Sequence, residues 1–457
     1  MSSAPVVVWF RDDLRIADNP ALCAAADQRA PVIALYVLDE ESSGIRSLGG
    51  AAKWWLHHSL SALQADLADH GIPLVLRHGA APAEVVDIVG QVGAGAVVWN
   101  RRYGGPERSV DTEVKASLSA AGIEVESFAA SLLFEPWMIR TRNGDPYSVF
   151  APFWKACNAA PPPRLPLSVP ERINRSADLT GVARLEMDEL ALLPKHPDWA
   201  SGLRAAWRPG EASAQRALAD FCDGSLRTYA SDREIPGTPG TSRLSPHLRW
   251  GEISPFQAWH AAKVMRQEAS EGVRAFLSEL GWREFAWHTL YHSPDLATAN
   301  WRPGFDAFPW PAIRPDLLTA WQEGRTGFRL VDAGMRELWR TGWMHNRVRM
   351  VTASFLTKNL LVDWREGERW FWDTLVDADS ASNPFNWQWV AGSGPDSSPY
   401  FRVFNPELQA AKFDPADRYT RANIEEWRTG EYPDPIVDLR ETRANALDAY
   451  EIVRNRP

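Results

Sequence analysis

Cysteine is scarce: the 457 residues contain 3, at Cys23, Cys157 and Cys222. They lie far apart with no metal-ligand spacing, which excludes a four-cysteine iron–sulfur cluster and fits structural thiols in a reducing cytoplasm. There is no apolar run of about 18 residues, so no membrane-spanning helix is expected. The start, MSSAPVVVWF, has neither a charged leader region nor a cleavage site, so no signal peptide is expected. Positive charge is also short: the net charge is −9. A nucleic-acid partner is therefore disfavoured unless the basic residues gather on one face. The chain has no GxSxG, HExxH, P-loop or paired Cys/His set, which argues against a common hydrolase, a zinc enzyme and a P-loop kinase. A cofactor enzyme, in which the cofactor does the hard chemistry, stays open.

Tryptophan, by contrast, is abundant, with 23 residues, most of them after residue 200. Indoles fill helical cores, line cofactor pockets, stack on bases or carry electrons. The stretch NPFNWQW places Trp387 and Trp389 in a Gly/Asn/Pro-rich segment that reads as a loop, where large rings must be buried or face a partner.

The length suggests two or three domains. In the first 130 residues, VVVWF (6–10), VIALYVLD (32–39), PLVLRHG (73–79), AVVWN (96–100) and IEVESF (123–128) are short apolar runs separated by helical stretches. This pattern predicts an α/β domain over 1–130, with a doubly wound parallel sheet, but no G-x-G-x-x-G fingerprint follows the first strand. Residues 131–200, with PPPRLPLSVPERI, read as a linker over the surface. Residues 201–457 read as an all-helical domain. There Val273, Phe276, Leu277 and Leu280 form one stripe, Glu279 can pair with Arg283 four residues on, and RVRMVTASFLTKNLLVDW is a second such helix.

Three short motifs bear on chemistry. GTPGTSRLSPHLRWGEIS offers hydroxyls from Thr241, Ser242 and Ser245 at a helix start, either for a phosphate or as an ordinary N-cap. DADSASN sets Asp377, Asp379 and Asn383 either against a cofactor ring or in a capped turn. MHNRVRM places Arg347 and Arg349 beside Asn346; Arg349 is a natural partner for a buried Asp377, the other reading being a solvated charged face.

Together with WFRDDLRIADNPAL, LGWREFAWH, TGWMHNRVRM, DWREGERWFWDTLVDAD and NWQWVAGSGPDSSPYFRVFNP, these segments resemble the DNA photolyases and cryptochromes, in that family's order from about residue 6 to 415. The resemblance implies a Rossmann-like antenna domain joined to a helical domain that holds FAD. It implies that Tyr229 lies on the flavin cofactor, that Thr241, Ser242, Arg243, Leu244 and Ser245 hold its pyrophosphate, and that Asp377 and Asp379 face the isoalloxazine and ribityl region. Arg349 would pair with Asp377, and Asn383 would lie at flavin N5. Plant cryptochromes typically carry Asp there, so Asn383 points to a photolyase.

By the same resemblance, UV-damaged DNA is the partner. Glu279 and Asn346 would hydrogen-bond a cyclobutane pyrimidine dimer, with Met350 nearby and Trp282 and Trp389 flanking it, while Arg233 and Arg283 would contact phosphate. Asn346, where (6-4) enzymes carry His, indicates dimer repair. Trp310, Trp364 and Trp387 resemble the electron-carrying tryptophan chain. NRRYGGPERSV resembles the folate-antenna region, with Glu107 as the pterin contact and Pro106 in place of the family's Asn, so 5,10-methenyltetrahydrofolate is favoured over a deazaflavin. FWDTLVDAD resembles plant cryptochromes, which together with Asn383 suggests a class III bacterial photolyase, monomeric by family default. The competing readings are a cryptochrome photoreceptor, a (6-4) repair enzyme and a non-photochemical nucleotide-binding enzyme.

Overall fold

A computed structural model describes residues 4–454 apart from 172, 174–178, 265–269 and 398–400, so small parts of the proline-rich connector and of the GSGPDSSPY motif lie outside the described residues. Five strands, β1 (Val6–Phe10), β2 (Val32–Leu38), β3 (Leu74–His78), β4 (Ala96–Asn100) and β5 (Glu124–Phe128), form one parallel sheet in the order β3-β2-β1-β4-β5. All five fall within the runs expected from the sequence. Val6 pairs with Val32 on one side and with Ala96 on the other. Strand side chains alternate between faces. Accordingly Val6, Val8 and Phe10 pack with Trp54, Trp55 and Leu60, while Val7 and Trp9 pack with Val85, Ile88 and Val114. Both faces are covered by helices, which is why β1, β2 and β4 are apolar at nearly every position. The edge strand β5 instead exposes Glu124 and Glu126, and charge there discourages pairing with another sheet.

Beyond Phe128 the described residues contain helices and no further strand. The stretch expected as a surface connector is only partly that. Residues 161–170 lack regular structure, but the helix Phe150–Ala159 buries Phe150, Phe153 and Cys157 beside Phe285 and Leu290. In the helix Glu271–His292, Ser270 caps the start by accepting from Val273 N at 3.2 Å. Val273, Phe276 and Leu280 are buried and Leu277 partly so, as their spacing predicts. The helix expected from RVRMVTASFLTKNLLVDW is shorter: Asn346–Ser354 is α-helical, Phe355–Asn359 widens into a π-turn, and Leu361 takes a φ of +50° before a new helix, Trp364–Thr374.

NPFNWQW is not a loop. It lies in the helix Ser382–Ala391. The Asp379 carboxylate accepts from Ala381 N and Ser382 N at 2.8 and 2.5 Å, fixing the first turn. Pro384 falls in that turn, where its missing N–H has no intrahelical acceptor to lose. Gly392 ends the helix at a φ of +98°, a conformation that favours glycine. Residues two apart on a helix point to different sides. Trp387 is buried against Phe371 and Trp321, with ring centroids at 4.9 and 6.3 Å, whereas Trp389 is half-buried under the guanidinium of Arg402.

Gly367 is where Trp387 meets the neighbouring helix: a Cβ there would lie 2.1 Å from its Cη2. A helix-interior Gly→Ala change ordinarily gains roughly 0.5–1 kcal/mol. Here overpacking should reverse the sign, and Gly367→Ala should lower unfolding stability in urea by about 1–3 kcal/mol. A gain in stability would show that Trp387 is not held against that glycine.

Candidate active site

A cavity of about 400 Å³ opens among the helical elements. The helix Glu271–His292 supplies Glu279, Trp282 and Arg283; the helix Asn346–Ser354 supplies Asn346, Arg349 and Met350; and the helix Ser382–Ala391 supplies Asn383, Trp387 and Trp389. Arg233 and Asp377 complete the set of predicted residues that the fold brings together.

Each of these is held by something specific. Arg349 donates from Nη1 and Nη2 to the two oxygens of Asp377, at 3.1 and 2.8 Å, and from Nε to Met344 O at 2.7 Å. The pairing expected from the sequence is therefore present, as a two-point fork. Asn383 is buried and gives its Nδ2 hydrogens to the carbonyl and Oε1 of Glu368, at 3.0 and 2.8 Å. Glu368 offers only acceptors, so the amide orientation follows, and Oδ1 is what Asn383 can present to the cavity. The ring of Phe150 stacks on Trp282, centroids 3.7 Å apart. Asn346 is exposed at the start of its helix, where His345 Nδ1 accepts from Arg347 N.

Glu279 does not pair with Arg283. Its partner is Arg233, Nη1 to Oε1 at 2.7 Å, while Arg283 donates to Ser131 O at 2.9 Å and reaches Glu284 at 3.4 Å. The i,i+4 pairing loses because Arg233 reaches the acid from another element and burial rewards the closer partner. Burial raises the Glu279 carboxyl above its ordinary value, against the pull of Arg233. Beside it Arg347 Nε donates to Glu234 Oε2 at 2.7 Å.

Several predicted cofactor residues stand outside this cavity. Asp379 lies on a smaller cleft and uses its carboxylate to start the Ser382–Ala391 helix, so it does not share a face with Asp377. Tyr229 is buried against Phe221 and Phe276, beneath the guanidinium of Arg233. The helix after GTPGTSR is only Ser245–Arg249, and its N-cap is Leu244, with no side-chain cap. Arg243, at a φ of +51°, lays its guanidinium over Trp207 and Trp343 at 4.3 and 4.8 Å. The ordinary N-cap reading of Thr241, Ser242 and Ser245 thus fails, although Ser245 Oγ accepts from Trp343 Nε1 at 3.3 Å. Trp364 and Trp387 are buried in one apolar cluster, with Trp310 packed partly exposed against it.

The smaller cleft, about 110 Å³, sits at the C-terminal ends of the strands, where Arg11 and Asp12 follow β1 and Arg101, Arg102, Gly104 and Glu107 follow β4. Chain connections diverge between these two neighbouring strands, which is where open α/β sheets bind ligands. Glu107 is in the first turn of the helix Gly105–Ala120, and burial raises its carboxyl against the pull of Arg102.

Sequence reading missed Glu234, Phe371, Ser382 and Asn386 on the cavity wall and Glu368 behind it. The signal for two of them was present: Trp364, Glu368, Phe371 and Leu375 recur at helical spacing, and an acid on such an apolar stripe needs a partner.

Residues 6–171 match the family model described as DNA photolyase, and residues 276–430 match the FAD binding domain of DNA photolyase. The chain belongs to the DNA photolyase and cryptochrome family. It is 46% identical to the deoxyribodipyrimidine photo-lyase of Agrobacterium fabrum, over 99% of each chain. It is 37% identical to cryptochrome-1 of Arabidopsis thaliana, over 97% of this chain and 70% of that protein. The crystal structure of a class III photolyase from Agrobacterium tumefaciens superposes with a TM-score of 0.91 at 44% identity, covering 100% of this chain and 99% of that one. Among the described residues no helix is long and apolar enough to cross a membrane.

The residues of the large cavity suit a flavin of this family. Phe371, Leu375, Trp387 and Val390 give apolar walls for a planar ring, and Arg349, Asp377 and Asn383 give its polar edge. The Nε1 of Trp387 is buried without a partner. The Arg349–Asp377 fork buries its acid almost completely: the Asp377 side chain is 3% exposed. Arg349→Met should therefore cost about 2–4 kcal/mol in chemical denaturation, and adding Asp377→Asn should restore part of it. Equal stability of Arg349→Met and the parent would mean that Asp377 has another partner.

Proposed function

We propose that the chain repairs cyclobutane pyrimidine dimers in DNA by light, as a class III-type photolyase and as a monomer. What carries this reading is one cavity that gathers two indoles, Trp282 and Trp389, an acid, Glu279, and an amide, Asn346, next to the Arg349–Asp377 pair and Asn383. A dimer buried in a duplex must be flipped out to enter such a cavity. Stacking on the indoles stabilises the flipped bases by about 1–3 kcal/mol each. Glu279 and Asn346, both lining the cavity, would hydrogen-bond the base edges. Arg233 and Arg283 at the cavity, with Arg402 over Trp389, supply donors for phosphate.

FAD would be held by Arg349, Asp377, Asp379 and Asn383, with Tyr229 on the cofactor and the hydroxyls of Thr241, Ser242 and Ser245 toward its pyrophosphate; bound and reduced, it would supply the electron that splits the dimer under light and recover it afterwards. The Arg349–Asp377 pair would lie at the ring edge, and the Asn383 oxygen would accept from a ring N–H. Trp387, Trp364 and Trp310 run from burial to partial exposure, which suits electron delivery from the surface. In the smaller cleft Glu107 would contact the pterin of 5,10-methenyltetrahydrofolate, and Arg101 and Arg102 would offer donors to its carboxylates.

The deciding experiment is blue light on the reduced, flavin-loaded protein with a thymine-dimer oligonucleotide and a dark control. Light-dependent return of intact thymines is expected. No repair by a flavin-loaded, photoreducible protein would overturn the reading in favour of a photoreceptor.

Affinity for the damaged oligonucleotide should also fall with salt. For two or three phosphate contacts the loss between about 50 and 200 mM is roughly ten- to fortyfold. A flat response would remove DNA from the cavity mouth.

A further inference from the structure

We propose that Arg46, on the loop between β2 and the helix Gly50–Asp69, is a positioning residue for Asn383 that acts through Glu368 and favours the reduced state of the bound flavin. This rests on the reading that the flavin edge lies at Asn383.

The connection is direct. Arg46 Nη1 and Nη2 donate to Oε1 and Oε2 of Glu368 at 2.7 and 2.9 Å. Glu368 Oε1 then accepts from Asn383 Nδ2 at 2.8 Å, and the Glu368 carbonyl accepts from the same amide at 3.0 Å. One side chain of the α/β half therefore sets the acid that orients the amide of the helical half. The Glu368 side chain is 2% exposed, and Arg46 is the cation paired with it. Arg46 is itself held in place: its guanidinium lies 4.1 Å from the ring centroid of Trp372, whose Nε1 donates to Ser47 O at 2.9 Å.

Two consequences follow. First, with both Asn383 hydrogens engaged by Glu368, the cavity sees the amide oxygen, an acceptor suited to the N–H of a reduced flavin. Second, an unpaired Glu368 carboxylate would place a buried negative charge behind that edge and oppose the anionic reduced ring. Arg46 cancels the charge. Its own side chain is 34% exposed, so solvent screens part of the effect. Only a guanidinium reaches both oxygens in one plane, so lysine is an incomplete substitute. Arg46 also borders the smaller cleft, so its electrostatic setting is shared between the two cavities.

The test uses the flavin-loaded protein and reads the midpoint potential of the bound flavin and the rate at which the reduced form reoxidises in the dark. Arg46→Met should lower the ratio of reduced to oxidised flavin at a fixed potential by about tenfold and speed reoxidation. Arg46→Lys should fall between it and the parent. Adding Glu368→Gln to Arg46→Met should restore the parent ratio, because a neutral amide leaves no charge to cancel. Asp373→Ala is the structural control: Asp373 Oδ1 accepts from Gly50 N at 2.8 Å on the same loop but does not touch Asn383. It should leave the potential unchanged.

An Arg46→Met ratio within about twofold of the parent overturns the proposal, as does an equal shift in Asp373→Ala, which would reduce Arg46 to a loop anchor. Asn383→Leu separates the two levels. If it leaves the flavin spectrum and potential unchanged, the flavin edge is not at Asn383 and the footing itself is gone. If it shifts them while Arg46→Met does not, only the relay fails.

Discussion

The candidate site hangs on the helix Ser382–Ala391, and that helix is fixed by one wholly buried amide, Gln388. Its Nε2 donates to Leu296 O and Ala299 O at 2.7 and 2.9 Å, and its Oε1 accepts from Trp301 N at 2.8 Å and from Ser393 Oγ at 3.2 Å. All four hydrogen-bonding positions of the amide are used. A buried polar group that loses a partner costs about 1–3 kcal/mol, so rotation of the helix is strongly opposed. That setting is what puts Trp387 against Phe371, Trp389 at the cavity wall and Asn383 beside Glu368. Lys358, buried and donating from Nζ to Ala391 O, holds the far end of the same helix.

Charge is placed with similar economy at the junction of the two halves. Arg249 donates to Asp12 at 2.7 Å and to Ala378 O at 2.8 Å. Ala378 stands between Asp377, committed to Arg349 in the large cavity, and Asp379, on the smaller cleft. The two acids are neighbours in sequence and line different cavities. Arg46 crosses the same junction to Glu368. The α/β half therefore does more than hold its own cleft: its cation Arg46 fixes an acid of the helical half, and its acid Asp12 fixes a cation of it.

This arrangement explains what could be read from sequence and what could not. The sheet was legible because strands buried on both faces must be apolar almost throughout, a signal confined to the strand itself. The Arg349–Asp377 pair was legible because a buried carboxylate demands a cation and the family resemblance pointed to Arg349. NPFNWQW reads as a loop because its Asn and Pro, with glycines just beyond it, are loop residues by composition; the cap from Asp379 and the four partners of Gln388 that make it a helix lie outside the motif. The role of Asp379 at the start of this helix was not legible, because the N–H groups it accepts from lie in a segment that reads as a loop. Glu279 was given the wrong partner because Arg233 is distant in sequence and close in space. Local periodicity carries elements; it does not carry partners that meet only after folding.

The net charge of −9 disfavours a nucleic-acid partner unless basic residues gather on one face, and the cavity mouth shows how the proposed one is compatible with it. Arg233 and Arg347 are each bound to an acid, Glu279 and Glu234, so they add little field at long range. A guanidinium has five N–H donors, and one carboxylate takes no more than two of them. The rest stay available to a phosphate that has already arrived, and pairing holds the side chains in place so that less entropy is lost on contact. Such a mouth contributes little to steering and much to contact once the lesion is flipped. Selection then rests on what fits between indoles and polar edges rather than on attraction to any duplex, which suits a protein that must ignore intact DNA.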